Sequence, residues 1–244
     1  MCLICLTGCS GCSKSGRKNQ MQSSRVSERK ASPINKQKMN IERSPVSSNP
    51  TQLNTQESSL SAMYNKLKPA VFLIAVSYSE GGGAQGSGFF ISSRGIGVSN
   101  YHVFKGGTRG KAYIKTADEN IYQVGDVLDY NEDMDYIVFQ VISNNLNFPA
   151  IQIAYSQPSI GEDVFAIGNP KGLEHTLSKG IVSSYRENDL YIQTTAEITH
   201  GSSGGALFNM RGEVVGITTA GYAEANLNFA INLQKLGIQK FVNR

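Results

Sequence analysis

The chain reads as all-β, built as two six-stranded antiparallel β-barrels with a short C-terminal helix behind them and a disordered N-terminal tail in front. Three observations carry that reading. From about residue 71 onward, short runs rich in Val, Ile, Phe and Tyr alternate with clusters of Gly, Asn, Asp and Pro, which is the pattern of many short strands joined by turns. Up to about Ser59 the composition is Ser, Asn, Gln, Lys and Arg with isolated apolar residues, too little to offset the entropy of ordering. Helical spacing is confined to the two ends of the remaining body, and no repeat of solenoid period is visible.

In chain order, Leu60, Met63, Tyr64 and Leu67 share one helical face and Pro69 stops that helix. Strands are expected at 71–76, 88–91, 112–114, 121–128, 136–142, 164–167, 180–184, 191–194, 214–218 and 229–231. Ile96-Gly97-Val98 and the apolar run from Ala206 add two buried strands. Leu233, Leu236, Ile238 and Phe241 make a closing helix. With 244 residues the body fits one large β domain or two small ones. The expected division is a linker over 1–59 and a folded domain over 60–244. Within the latter, barrel one covers about 60–150, barrel two 151–232 and the closing helix 233–244.

The chemistry is concentrated in three segments. Thr199-His200-Gly201-Ser202-Ser203-Gly204-Gly205-Ala206 has the form of a nucleophile loop. A serine hydroxyl needs a base within hydrogen-bond reach to attack a carbonyl. A glycine two residues before Ser203 allows its backbone N–H to approach that carbonyl, so Gly201 and Ser203 are the candidate oxyanion-hole donors. A Gly/Ser-rich surface turn is the bland alternative, and Ser202 is the adjacent hydroxyl. His102, in Ser99-Asn100-Tyr101-His102-Val103, follows a buried strand and is the candidate base. Of the other two histidines, His175 lies in a Gly/Pro-punctuated loop and His200 reads as a rim residue close to substrate. Asp135 opens the run Tyr136-Ile137-Val138-Phe139, where a carboxylate needs a partner. It is the candidate orienter, ahead of Asp133, Asp129 and Asp126. Base, orienter and nucleophile then follow one another along the chain as His102, Asp135 and Ser203.

These segments, with Gly86-Ser87-Gly88-Phe89-Phe90-Ile91, Ala166-Ile167-Gly168-Asn169-Pro170-Lys171-Gly172-Leu173 and Gly212-Glu213-Val214-Val215-Gly216-Ile217, resemble the Deg/HtrA type of chymotrypsin-fold serine protease from about residue 66 to residue 232. The resemblance implies a trypsin-like domain whose active site lies in the crevice between the barrels, with no metal or organic cofactor. It places the primary pocket at Ile198 and the substrate-pairing strand at Thr218-Thr219-Ala220. An Ile198 floor suits small or medium aliphatic residues. Glu197 facing the pocket instead favours a basic residue, and strand alternation admits only one of the two. The chain departs from the family twice. It ends soon after the last strand, where relatives commonly carry a PDZ domain, so the expectation is a protease lacking one. Ser202 stands where trypsin-like zymogens use an Asp, so activation by a new N-terminal amine is not expected.

All four cysteines, Cys2, Cys5, Cys9 and Cys12, precede the body. Leu6-Thr7-Gly8-Cys9 fits a lipobox in which Cys9 is lipidated, tethering the chain to a membrane, although the apolar stretch before it is short and lacks a basic start. The two Cys-x-x-Cys pairs allow a metal knot, but the loop between them is short for zinc-ribbon geometry; no role at all is the third reading. The formal net charge of +4 comes from the tail, which serves either as a solvated spacer or as a patch drawn to anionic lipid. Nothing in the body suggests a nucleic-acid groove. The functional expectation is an endopeptidase acting on protein or peptide substrates in a bacterial cell envelope, with a cytoplasmic setting as the alternative. A silent peptide-binding module and a partner-activated protease are the rivals. Relatives commonly form trimers, and no residue here decides for or against a homo-oligomer.

Overall fold

The computed structural model describes residues 53–144, 147–169, 175–222 and 227–243. Cys9, the other cysteines, the basic tail and the turn at 170–174 lie outside the described residues. The twelve strands are β1 (Val71–Tyr78), β2 (Gly83–Ser92), β3 (Ile96–Ser99), β4 (Gly107–Lys115), β5 (Ile121–Asn131), β6 (Tyr136–Ile142), β7 (Asp163–Gly168), β8 (Thr176–Arg186), β9 (Tyr191–Thr194), β10 (Ala206–Asn209), β11 (Val214–Tyr222) and β12 (Leu227–Asn232). They close into two barrels, ordered β1-β2-β3-β6-β5-β4 and β10-β11-β12-β9-β8-β7. Read from β7, the second order is 7-8-9-12-11-10, the same antiparallel winding as the first. Closure leaves neither sheet with a bare outer strand.

Barrel one is filled by aromatic rings. Phe72 packs on Phe90 with centroids 4.5 Å apart, and Phe104 on Phe139 at 5.4 Å. Glycine makes room for them: a Cβ at Gly97 in β3 meets the Phe139 ring at 2.8 Å. Barrel two has a smaller core of its own from Val164, Val182, Ile192, Leu207 and Val215. The largest apolar cluster belongs to both barrels. It joins Phe89, Val98 and Val138 of barrel one to Phe165, Ile167, Phe208 and Ile217 of barrel two.

The helix α1 (Leu53–Leu67) precedes β1, and a 3-10 turn at Lys68–Ala70 containing Pro69 ends it. It starts at Leu53, ahead of the boundary expected at residue 59, so the end of the expected linker is helical. Leu60, Met63 and Tyr64 pack on the shared core, and extending a helix already anchored costs far less than starting one. The Tyr64 hydroxyl donates to the His175 carbonyl at 2.6 Å, and burial pushes that phenol up from its usual pKa. The closing helical segment consists of two 3-10 turns, Leu233–Lys235 and Ile238–Phe241. Gly237 between them has φ +63°, which breaks a continuous helix.

Candidate active site

Strand pairing brings two of the three expected residues, His102 and Asp135, together. Ser99, at the end of β3, lies opposite Ile137, near the start of β6. Antiparallel pairing therefore puts the turn after β3 and the turn before β6 at the same end of barrel one. His102 sits in the first, a 3-10 turn over Tyr101–Val103, and Asp135 in the second. Asp135 grips His102 twice: its Oδ1 accepts the His102 backbone N–H and its Oδ2 lies 2.8 Å from Nδ1, both bonds being 2.8 Å. The Asn100 side chain, fully buried, donates to the Asp135 carbonyl at 3.0 Å. Asp135 itself adopts φ +52°, a conformation that Asp and Asn tolerate better than other side chains.

Barrel two supplies the loop 199–205 before β10. Gly201 and Gly204 have φ +94° and +87°, which side-chain-bearing residues rarely adopt. A Cβ at Gly204 also collides with the Ser87 carbonyl and Ser99 Oγ. Several of the loop's peptide groups are engaged within the protein. Ser202 N–H donates to Thr199 O, Gly204 N–H to Thr218 O, Gly205 N–H to Ser202 O, and Ser87 N–H to Ser203 O. Thr218 Oγ1 adds a bond to Ser202 O at 2.6 Å. Among the described residues, the backbone N–H groups of Thr199, His200, Gly201 and Ser203 have no internal partner, and the two expected oxyanion donors are among them.

Other expected residues fall into two groups. Thr218 is buried and Thr219 half-buried on β11, and the backbone of Ala220 continues that strand. Beyond Thr218, β11 pairs with β12 through Thr219↔Phe229 and Tyr222↔Leu227, whereas its pairing with β10 ends at Ile217↔Ala206. One edge of β11 is therefore open there among the described residues. His200 is exposed. Ile198 is buried, with its N–H on Asn228 Oδ1 at 3.0 Å. Glu197 is exposed and lines a cavity of about 150 Å³ with Thr199, Ser202, Thr176 and Ser178; Ile198 is not part of that lining. His175, in the turn just before β8, is buried, its Nε2 3.0 Å from the Val71 carbonyl on β1.

The sequence reading did not single out two side chains that shape the loop. Ser87 and Asn169 are both fully buried, and the Asn169 N–H donates to Ser87 Oγ at 2.8 Å. A hydroxyl held between two glycines inside an apolar strand was the available signal.

Two barrels of matching winding define a chymotrypsin-type fold, with the His102–Asp135 pair on one barrel and Ser203 on the other. A family model described as trypsin-like peptidase domain matches residues 86–217, more than half of the chain. The chain is 34% identical over 204 residues to serine protease HTRA1B of Danio rerio, covering 77% of this chain and 42% of that one. It is 30% identical over 217 residues to Protease Do-like 1, chloroplastic, of Arabidopsis thaliana, covering 79% and 49%. A relative from Pseudomonas putida named "Probable periplasmic serine endoprotease DegP-like" is 37% identical over 164 residues, 60% of this chain and 32% of that one. A crystal structure of the serine endoprotease from Yersinia pestis superposes with a TM-score of 0.65 at 29% identity, covering 75% of this chain and 66% of that one. The chain belongs to the trypsin-like serine peptidases, in their Deg/HtrA branch. It spans less than half the length of these three curated relatives.

Proposed function

We propose that the chain is an endopeptidase that hydrolyses peptide bonds of extended or unfolded protein through an acyl-enzyme on Ser203. The observation that carries this reading is the 2.8 Å contact between His102 Nδ1 and Asp135 Oδ2. With Nδ1–H given to the carboxylate, Nε2 is the proton acceptor. His102 takes the Ser203 proton as Oγ attacks the scissile carbonyl, and Asp135 stabilises the resulting imidazolium. The N–H groups of Gly201 and Ser203 hold the developing oxyanion. His102 then returns the proton to the leaving amine, and a water molecule repeats the sequence on the acyl-enzyme.

Substrate is held as an added strand on the open edge of β11 at Thr219 and Ala220, next to Thr218, with His200 at the rim. The buried Ile198 supports a preference for aliphatic residues at the cleaved position. The cavity beside Glu197 supports the second reading, a basic preference. Cleavage of a peptide library by wild type and Glu197→Gln separates them: aliphatic cleavage is expected to persist unchanged, and a lost Lys/Arg preference would establish the second. The relative named as periplasmic favours a cell-envelope setting, where a lipidated Cys9 serves as the tether and copies of the chain assemble as a homo-oligomer.

Active-site labelling with a fluorophosphonate tests the core of this proposal. Wild type is expected to carry the adduct on Ser203, and folded Ser203→Ala and His102→Ala are expected to carry none. Proteolysis of a denatured protein that persists in Ser203→Ala refutes the mechanism. Absence of labelling in the folded wild type favours the binding-module reading.

A further inference from the structure

Ser87 belongs to barrel one, yet both of its polar hydrogens are spent on the nucleophile loop of barrel two. Its N–H donates to the Ser203 carbonyl at 2.8 Å, and its Oγ donates to the Gly201 carbonyl at 2.8 Å. The same Oγ accepts the Asn169 N–H at 2.8 Å, which orients the hydroxyl with its proton toward Gly201. Its own carbonyl accepts Ser99 Oγ at 2.7 Å, tying it to the strand that leads into His102. Space for this crossing is made by glycine. A Cβ at Gly86 meets Val103 at 2.7 Å and the Ser203 carbonyl at 3.1 Å.

The Gly201–Ser202 peptide is thus held at both ends, its carbonyl by Ser87 and its N–H by Thr199 O at 2.9 Å. This matters because the preceding peptide, His200–Gly201, carries the oxyanion donor and has no bond of its own among the described residues. Gly201 has no side chain to restrain it either. The nearest restraint on its N–H is the bond on its own carbonyl. We propose that Ser87 is a positioning residue: its hydroxyl holds the Gly201–Ser202 peptide so that the Gly201 N–H stays aimed at the oxyanion, in register with the base on barrel one. The inference rests on the reading of Ser203 as nucleophile and extends it to a residue that touches neither substrate nor the reacting atoms.

The test compares wild type, Ser87→Ala, Ser87→Cys and a remote control, Thr116→Ala. The control removes another buried hydroxyl, one bonded to Asp118 and Asn120 in a turn of barrel one. Fluorophosphonate kinetics are split into the saturating labelling rate and the half-saturating concentration, and amide hydrogen exchange is followed over residues 199–205. Removing an oxyanion donor costs about 10² to 10³ in rate, so loosening one is expected to slow Ser87→Ala labelling about 10- to 100-fold. The half-saturating concentration should change little, because ground-state binding does not use the oxyanion donors. Exchange at Ser202 is expected to accelerate in Ser87→Ala. Ser87→Cys, a weaker donor of similar shape, should fall between. Thr116→Ala should lose thermal stability with no change in labelling rate or loop exchange. Unchanged exchange and labelling in a folded Ser87→Ala overturns the proposal, as does a rate loss in Thr116→Ala of the same size. If Ser87→Ala does not fold, Ser87→Cys decides. If wild type takes no label at all, the nucleophile reading falls, and faster loop exchange in Ser87→Ala still decides whether the hydroxyl is a clamp.

Discussion

At the scale of single residues, Asp135 offers a substitution that separates chemistry from backbone strain. Its φ of +52° is one that Asn adopts about as readily, so Asp135→Asn should fold. The two bonds from His102, one from the backbone N–H and one at Nδ1, both need an acceptor. An amide offers one acceptor oxygen and one NH₂, so His102 loses either its position or its productive tautomer. A fall of about 10³ to 10⁴ in labelling rate is expected, with a melting temperature close to wild type, measured by calorimetry beside the labelling assay. Gly204→Ala makes the opposite prediction. Its φ of +87° and the collision of a Cβ with the Ser87 carbonyl and Ser99 Oγ leave no relaxed structure. Backbone strain alone amounts to about 1–3 kcal/mol, so melting should drop by several degrees and labelling should disappear with it. An Ala variant that retains full stability contradicts this packing. The candidate residues His102, Asp135 and Ser203 stood out in the sequence because each sits in its own short pattern, and the His102–Asp135 contact joins two of them. Ser87 did not, because its two flanking glycines are a faint signal and the carbonyl it holds is 114 residues away.

At the scale of elements, β6 and β9 coincide with their expected bounds: apolar residues fill β6 apart from Gln140, and β9 alternates buried Ile192 and Thr194 with half-buried Tyr191 and Gln193. β8 runs over Thr176–Arg186 whereas the sequence suggested only 180–184. Its outer positions mix Thr176, Ser178, Lys179 and Arg186 with Leu177 and Tyr185, a pattern too polar to extend the apolar run. β11 likewise extends past Thr218 along β12, and the open edge it presents is a consequence of pairing that composition does not reveal. The β10–β11 turn shows how a polar connection is fixed. Asn209 Oδ1 accepts the N–H groups of Arg211 and Glu213, while its Nδ2 donates to Glu213 Oε2 at 2.8 Å. Arg211 Nε reaches the same oxygen at 2.8 Å. The Asn209 amide and the Arg211 guanidinium hold the Glu213 carboxyl below its usual pKa. A lowered carboxylate pKa stabilises the fold above the ordinary value of 4.5, and that contribution is lost as pH falls through the folded-state pKa. Glu213→Gln is therefore expected to cost about 1 kcal/mol near pH 7. The gap to wild type should close in acid, as read by denaturant melts across pH. A gap that widens on acidification has the wrong sign for this turn.

At the scale of the whole molecule, the two barrels cannot be independent, because the His102–Asp135 pair and the loop of Ser203 come from different ones and the largest core is common to both. Phe89 and Val138 share that cluster with Phe165 and Phe208, the last two stacked with centroids 5.1 Å apart. The C-terminal turns complete it. Ile238 is fully buried and Phe241 is nearly so, both within the shared cluster. Polar bonds run from the same segment to opposite parts of the fold. Lys240 Nζ lies 2.9 Å from Asp129 Oδ2 on β5, and Asn232 Nδ2 donates to Gln157 at 2.8 Å in the connection between barrels. Removing apolar bulk here should destabilise both barrels by the same amount. Ile238→Ala, a large-to-small change at a fully packed site, is expected to cost about 2–5 kcal/mol. Because the damaged core is shared, its unfolding should remain one transition, with the far-ultraviolet signal of both sheets and the labelling of Ser203 lost at the same temperature. Two separated transitions, with labelling lost in the first, would mean that each barrel is stable alone. The shared core would then serve only to align them, and Ile238→Ala would shift the first transition while leaving the second in place.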